Sequence, residues 1–242
     1  MENFKNVDRR WIDVSWDPGR NYSVPYHWGT TALALDTAAY AGESNTLKLL
    51  FDPPPELQGR IILVPESGVV QVALRYLGKP LCTKDADDLA ALSDLLMSAK
   101  SHWRTITYDI NDPMLSGEVA LAYIWNGNAL AVRLQKPSWT YIYPREGVVG
   151  WMDNVVVLKD APNIENAKLF QNFLMDPEIA AINSAYNNYA NAIRGSEKFL
   201  PSAFAEAPEI RLPDEAPTPE IPPACEDQIT EKYNEIWAQV TK

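Results

Sequence analysis

The sequence predicts an α/β fold with a largely parallel sheet. Short apolar runs alternate along the chain with longer segments of helical periodicity, an order typical of sheets whose parallel strands are joined by helices. The 242 residues are 46% hydrophobic and 22% charged, as in an ordinary globular protein that buries a substantial core. This length allows either one large domain or two small ones.

Five short apolar runs bounded by turn residues are predicted as strands. The run at 61–64 has the pattern of a central strand, because Asp52 and three prolines interrupt the chain shortly before it. The predicted strands are residues 30–35, 61–64, 119–124, 139–143 and 155–158.

Five segments with apolar residues three or four positions apart are predicted as helices. Gly78 is expected to end the first, acidic residues occupy the first turn of the second, and Pro177 opens the fourth. The predicted helices are residues 69–77, 85–100, 163–175, 177–185 and 226–240.

Residues 201–223 contain seven prolines and five acidic residues, a composition that cannot bury enough apolar surface to fold alone. We expect an extended strap along the surface. The apolar side of the helix at 226–240 needs a docking surface, so we expect the C-terminus to pack against the body of the protein.

The charge balance argues against nucleic-acid binding. The net charge is −11 and the sequence pI is about 4.7, whereas phosphate binding needs a basic surface. No apolar run of about 18 residues is present, so no membrane span is predicted. The first ten residues contain no hydrophobic segment, so we expect no signal peptide in this chain.

The residues for metal, redox and nucleophilic chemistry are sparse. Cys82 and Cys225 lie far apart and in no CxxC context, which argues against zinc and dithiol sites. Two free thiols and one disulfide both remain open. The two histidines, His27 and His102, are separated in sequence, so we expect no histidine-based metal site, no catalytic pair and no cofactor.

Three short motifs combine aromatic residues with a carboxylate or an amide. Trp125 lies at the carboxyl end of a predicted strand, where α/β sheets bind their ligands, and Asp153 precedes an apolar run. Aromatic faces beside an anion attract an organic cation. A core tryptophan, a packed tyrosine and a turn-capping aspartate are the alternative interpretations. The motifs are Trp-Asn-Gly-Asn at 125–128, Trp-Met-Asp at 151–153 and Tyr-Ala-Asn at 189–191.

Seven motifs in the same order resemble a family of bacterial extracellular solute-binding proteins for spermidine and putrescine, the receptors of ABC importers. The resemblance runs from about residue 18 to the C-terminus. The motifs are SVPYHWGTT at 23–31, LFDP at 50–53, LQGRI at 57–61, RYLG at 75–78, PREG at 144–147, WMD at 151–153 and FLMDPE at 173–178.

The resemblance implies a periplasmic-binding-protein-like (type II) fold of two lobes. A C-terminal lobe would hold residues 29–138 and 194–242, and a partial N-terminal lobe would hold residues 1–28 and 139–193. Family members begin with a signal peptide and the first half of the N-terminal lobe, and we expect this chain to lack both. The resemblance therefore implies a periplasmic or extracellular location, an ABC permease as partner, exposed apolar edges and a possible homo-oligomer.

The resemblance also implies a set of ligand contacts. Trp125, Trp151, Asp153 and Tyr189 match the family's aromatic and carboxylate positions for a small cationic amine. Asn128 stands where polyamine binders carry an aspartate, and an amide brings no charge to that subsite.

A further family glutamate precedes the helix that ends in RYLG. Counting back without a gap puts Gly68 at that position, and a local shift would bring in Glu66 instead. With these positions altered, we expect a ligand with one cationic centre and a second polar end, such as an opine, an amino-acid-like amine or a quaternary ammonium compound. A binding protein without catalysis is the leading interpretation. A carbohydrate-active enzyme and a fragment without function are the alternatives.

Overall fold

The computed structural model describes all residues from 1 to 242. The chain divides into two compact units. Unit 1 contains residues 1–29 and 151–212, and unit 2 contains residues 30–150 and 213–242. No helix combines the length and the apolar character needed to cross a lipid bilayer.

The chain passes between the units at 29/30, 150/151 and 212/213, whereas the sequence suggested 28/29, 138/139 and 193/194. Two contacts explain the larger shifts. Residues 139–142 pair with the strand at 33–36 inside unit 2. Arg194 donates its backbone N–H to the Asn6 carbonyl at 2.8 Å, and Phe204 is buried, so residues 194–212 belong to unit 1.

Nine strands are present, numbered in chain order. They are β1 (Asp13–Val14), β2 (Asp17–Pro18), β3 (Ser23–Asp36), β4 (Ile61–Leu63), β5 (Trp103–Ile106), β6 (Leu121–Trp125), β7 (Trp139–Ile142), β8 (Val149–Val156) and β9 (Ala190–Asn191).

Nine α-helices connect or follow the strands, and three short 3-10 helices lie at Glu2–Asn6, Arg9–Trp11 and Ser196–Lys198. The α-helices are α1 (Lys48–Phe51), α2 (Gly68–Tyr76), α3 (Ala86–Lys100), α4 (Asn111–Ser116), α5 (Asn126–Gln135), α6 (Ile164–Leu174), α7 (Pro177–Asn187), α8 (Ser202–Ala205) and α9 (Asp227–Val240).

The main sheet of unit 2 has the strand order β5-β4-β6-β3-β7. β4 runs parallel to β5 and β6, whereas β3 runs antiparallel to β6 and β7. The expectation of a largely parallel sheet is therefore wrong for two of these four pairings. The reason is topological: α5 joins the parallel strands β6 and β7, but β3 lies between them in the opposite direction. Alternation of strands and helices along the sequence cannot reveal such an insertion.

The helix ends follow the local signals in the sequence. Asp85 caps α3 by accepting the backbone N–H groups of Asp87 and Asp88. Gly78 takes a left-handed conformation with φ of 67° directly after α2, as expected for a helix C-terminus. Asp176 caps α7 in the same way as Asp85 caps α3, with Pro177 in the first turn.

The apolar run at 155–158 differs from its expected form. β8 ends at Val156, and Val156 and Leu158 are exposed by 55% and 74%. The prediction of a buried strand at 155–158 is therefore wrong, because Val155 and Val157 are only half-buried and the alternate side chains face solvent.

The proline-rich segment is fixed to unit 2 over its second half. Glu220 exchanges backbone hydrogen bonds with Val148 and Gly150, and its carboxylate pairs with Arg75 at 2.6 Å. Cys82 and Cys225 form a disulfide, which answers the question that the sequence left open.

The C-terminal helix α9 then docks on unit 2, as expected. It buries Ile229, Tyr233, Trp237 and Val240, and the Tyr233 hydroxyl accepts the Thr83 backbone N–H at 2.9 Å.

We predict that loss of the disulfide lowers the free energy of unfolding by about 2–4 kcal/mol, because the bond restricts the unfolded chain and holds the strap. The bonded cysteines are 143 residues apart. Urea unfolding of the native chain with and without reductant measures the effect. The Cys82→Ser/Cys225→Ser variant serves as control, since reductant should leave its midpoint unchanged. Equal midpoints for the oxidised and reduced native chain would contradict the prediction.

Candidate ligand-binding site

Trp125 is held at the carboxyl end of β6 by the sheet of unit 2. Its backbone pairs with Thr31 of β3, and the chain turns directly into α5 after it. The indole Nε1 donates a hydrogen bond to Oε1 of Glu66 at 2.8 Å. The ring also stacks on Tyr108, with 6.1 Å between ring centroids and 12° between ring planes. A half-buried tryptophan with a carboxylate and a second ring beside it has the composition of a cation site.

Glu66 is the acid that the sequence could not place. It lies between β4 and α2, and burial raises the pKa of its carboxyl group, while the hydrogen bond from Trp125 acts in the opposite direction. Gly68 begins α2 and faces open space, with no atom within 4 Å of the position of an added Cβ. The structure therefore brings Glu66, and no side chain from position 68, to the indole of Trp125.

Asn128 lies on α5 and is half-buried. Its Nδ2 donates to Oδ1 of Asn111 at 3.2 Å, and the side chain has further interactions. Asn126 has a structural role, because its Oδ1 accepts the backbone N–H of Thr30 at 3.1 Å and ties α5 to β3. Tyr108 was missed by the sequence analysis. It lies in a loop outside the motifs, and only its stacking on Trp125 identifies it as a candidate site residue.

Unit 1 contains a second group of aromatic side chains. Trp151 and Tyr189 meet edge to face, with ring centroids 5.0 Å apart and planes at 78°. His27 lies 6.2 Å from the Tyr189 ring. Asp153 is two residues from Trp151 on β8, so both side chains point to the same face of that strand.

Asp153 does not cap a helix or turn, and no neighbouring basic side chain contributes to the shift of its pKa. It lies inside β8 and caps no helix or turn. The residue as a whole is exposed, but partial desolvation of its carboxyl group raises the pKa, and no basic side chain contributes to the shift. A carboxylate in this state gains by accepting a cation.

His27 is a second residue that the sequence analysis did not assign to the site. It is 3% exposed, and its Nε2 has no hydrogen-bond partner. Burial lowers the pKa of His27 from 6.5 to about 4, so the side chain is neutral at neutral pH. The indole Nε1 of Trp151 is also buried without a partner. Two unsatisfied ring nitrogens thus lie in the same aromatic group.

A family model described as bacterial extracellular solute-binding protein matches residues 3–211. The chain belongs to this family. The α/β fold of periplasmic binding proteins, expected from the motifs, is confirmed by solved structures. A Listeria monocytogenes protein provisionally assigned as a spermidine/putrescine ABC transporter superposes with a TM-score of 0.91 at 28% identity. The spermidine/putrescine substrate-binding protein of Streptococcus pneumoniae superposes with a TM-score of 0.83 at 25% identity. In both comparisons the aligned part is 99% of this chain and 75% of the other chain.

Two curated relatives show the sequence similarity. The spermidine/putrescine-binding periplasmic protein of Salmonella typhimurium is 32% identical over 183 residues, which is 74% of this chain and 52% of that protein. The putrescine/agmatine-binding protein of Pseudomonas aeruginosa is 27% identical over 223 residues, which is 82% of this chain and 59% of that protein. The chain spans about half the length of the curated relatives it matches.

We predict that His27 makes the folded state sensitive to acid. Its folded-state pKa of about 4 lies below the unfolded value of 6.5, so the unfolded chain takes up the proton more readily. The contribution of the neutral side chain is present above pH 6.5 and is lost as the pH falls towards 4, amounting to about 3 kcal/mol at most. Urea unfolding at several pH values should show a steeper loss for the native chain than for His27→Leu. Parallel pH profiles of the two proteins would show that His27 is not responsible.

Proposed function

We propose that this chain carries the ligand-recognition part of a receptor for an ABC importer and that its ligand is a small diamine. The observation that supports this proposal most directly is the pairing of one carboxylate with a pair of aromatic rings in each unit. Unit 2 has Glu66 with Trp125 and Tyr108. Unit 1 has Asp153 on the same strand face as Trp151, which meets Tyr189.

The position of Glu66 changes the expected ligand. The sequence suggested one cationic centre, because it indicated that both testable carboxylate positions besides Asp153 are altered. With Glu66 at the indole of Trp125, the chain has two candidate anions, Glu66 and Asp153, and a diamine carries two ammonium groups. Asn128 adds no charge, so a third ammonium group would lack a counter-charge. We therefore favour a diamine over a triamine such as spermidine.

The carboxylates supply charge, and the rings supply a low-dielectric surface for the methylene chain of the ligand. Burial raises the pKa of both Glu66 and Asp153, which reflects the cost of keeping a charge there without a cation. A bound ammonium group offsets this cost and favours the charged carboxylate. Binding should therefore weaken as the pH falls and the two acids take up protons.

The partners and location of the proposed receptor follow from the family and the disulfide. The Salmonella typhimurium relative is a periplasmic binding protein, and the Streptococcus pneumoniae relative is the substrate-binding protein of an ABC transporter. The Cys82–Cys225 disulfide suits an oxidising compartment outside the cytoplasm. We propose a membrane permease as partner and no chemical change of the ligand. A homo-oligomer also remains a prediction, which the mass of the purified chain in solution tests.

We predict that putrescine binds more tightly than spermidine and choline and raises the melting temperature of the chain. Asp153→Asn and Glu66→Gln should each weaken putrescine binding about ten- to a hundredfold, because each removes a hydrogen bond to a charged group worth about 1.5–3 kcal/mol. Calorimetric titration and thermal-shift measurements test both statements.

Asp160→Asn is the matched control, since Asp160 is an exposed acid in unit 1 that follows β8. It should bind like the native chain. If none of the three amines stabilises the chain, the fragment interpretation is favoured. If putrescine binds equally to all three variants, the amine lies elsewhere and the proposed site is wrong.

A further inference from the structure

Part of the proline-rich segment lies on unit 2 in the manner of a bound peptide. We call residues 216–224 the docked segment. Glu220 donates its backbone N–H to the Val148 carbonyl at 3.0 Å, and its own carbonyl accepts the Gly150 N–H at 2.9 Å. These bonds form a parallel bridge between Val149 and Glu220. Extended peptides bind to the edges of sheets through main-chain hydrogen bonds of this kind.

Gly150 allows the docked segment to lie directly against the chain. A Cβ atom added at this glycine would stand 3.2 Å from Cβ of Pro219 and 3.5 Å from Cγ1 of Ile221. The shorter of these distances is below the optimum for two carbon atoms, so a larger residue at position 150 would push the segment away. The receiving surface is therefore matched to an extended segment with a compact apolar residue on each side of its acid.

Arg75 of α2 supplies the charge that receives this acid. Its Nη2 lies 2.6 Å from Oε2 of Glu220, which is the only acid within ion-pair distance of Arg75. The Arg75 side chain is 13% exposed, whereas that of Glu220 is 55% exposed. A mostly buried guanidinium group without a counter-charge is costly. The surface around Arg75 therefore requires an acid, and an exposed segment brings it.

The docked segment does not satisfy Arg75 completely. The guanidinium Nε is buried without a hydrogen-bond partner, while Nη2 donates to the carboxylate of Glu220. A carboxylate that accepted both Nε and Nη2 would form a bidentate pair, which is the stronger arrangement. The site is thus occupied by this chain and would still gain from an acid that binds with two oxygens.

The docked segment can leave its site without opening a core. None of its residues is buried, and the first buried residue after it is Ile229 of α9. The Cys82–Cys225 disulfide ties the chain to unit 2 shortly after Glu220. A short tether of this kind keeps the local concentration of the segment at its site high.

We propose that Arg75 and the backbone of residues 148–150 form a peptide-binding site, which the docked segment occupies in cis and an extended acidic segment of a partner protein occupies in trans. The cis contact is autoinhibitory, and the disulfide strengthens it. The partner segment carries an acid between two compact apolar residues, as the docked segment does. This site is independent of the amine ligand.

The test uses the full chain and a fluorescent peptide with the sequence of the docked segment, Ala-Pro-Thr-Pro-Glu-Ile-Pro-Pro-Ala. Glu220→Gln removes the acid of the cis segment and leaves Arg75 in place. By fluorescence anisotropy, this variant should bind the peptide at least about tenfold more tightly than the native chain does. Glu215→Gln is the matched control, because Glu215 is an exposed acid directly before the docked segment, and it should bind like the native chain.

Reduction of the disulfide gives a second measurement without a substitution in the site. Dithiothreitol reduces the bond by thiol–disulfide exchange, in which the dithiol is oxidised to its own disulfide and Cys82 and Cys225 become thiols. Release of the tether should raise the affinity of the native chain for the peptide at least about twofold. Cys82→Ser/Cys225→Ser should bind as the reduced chain does, with and without dithiothreitol.

A peptide with glutamine in place of its glutamate provides the control on the ligand side, and it should bind Glu220→Gln at least about tenfold more weakly. Circular dichroism establishes that each variant is folded. The proposal is overturned if no variant binds the peptide, if Glu220→Gln and the native chain bind it equally, or if the two peptides bind equally. A dimer of the native chain that Glu220→Gln dissociates would instead assign the site to the docked segment of a second copy. Equal affinity before and after reduction would remove the disulfide from the mechanism.

Discussion

The backbone pairing of one strand, β3, determines where the aromatic residues of both units lie. β3 has fourteen residues, of which 23–29 belong to unit 1 and 30–36 to unit 2. In unit 2 the pairing of Thr31 with Trp125 fixes the end of β6, and therefore the start of α5. In unit 1 the pairing of Trp28 with Ala190 places the residue next to Tyr189. A one-residue slip of β3 would turn every side chain to the opposite face, so the register protects both aromatic groups at once.

The two units share one electrostatic feature: each contains an acid whose pKa is raised by desolvation, Glu66 in unit 2 and Asp153 in unit 1. Glu66 receives a hydrogen bond from the Trp125 indole, which stabilises the carboxylate but supplies no positive charge. For Asp153 the only cause of the raised pKa is desolvation. Salt bridges elsewhere on the chain satisfy acids fully, as between Lys136 and Asp36 at 2.8 Å. Acids left without such partners are where an external cation gains most.

Local features were predictable from the sequence, and non-local ones were not. Helix ends such as those at Asp85, Gly78 and Asp176 follow from capping chemistry within a few residues. The antiparallel position of β3 and the Cys82–Cys225 bond depend on contacts between distant parts of the chain, and composition carries no record of them.

The candidate site shows the same limit. Trp125, Trp151, Asp153 and Tyr189 were identified from motifs, but their roles as ligand contacts are still predictions. Tyr108 needed the structure, because it lies in a loop outside the motifs, and the sequence named Glu66 only as the alternative to position 68. Their relation to Trp125 rests on a stacked ring and a hydrogen bond, both formed between residues far apart in the chain.

Helix α6 shows why periodicity alone does not determine burial. The apolar stripe of this helix was correctly predicted from spacing, but spacing does not say which body covers the stripe. Within this chain Leu169, Phe170 and Phe173 are exposed, whereas Gln171 is buried and donates a hydrogen bond to the Val155 carbonyl of β8. A glutamine at a buried position costs little when its hydrogen bond is made, whereas phenylalanines that are half exposed lose part of their burial energy. The spacing of α6 therefore predicted the helix but not which of its sides is covered.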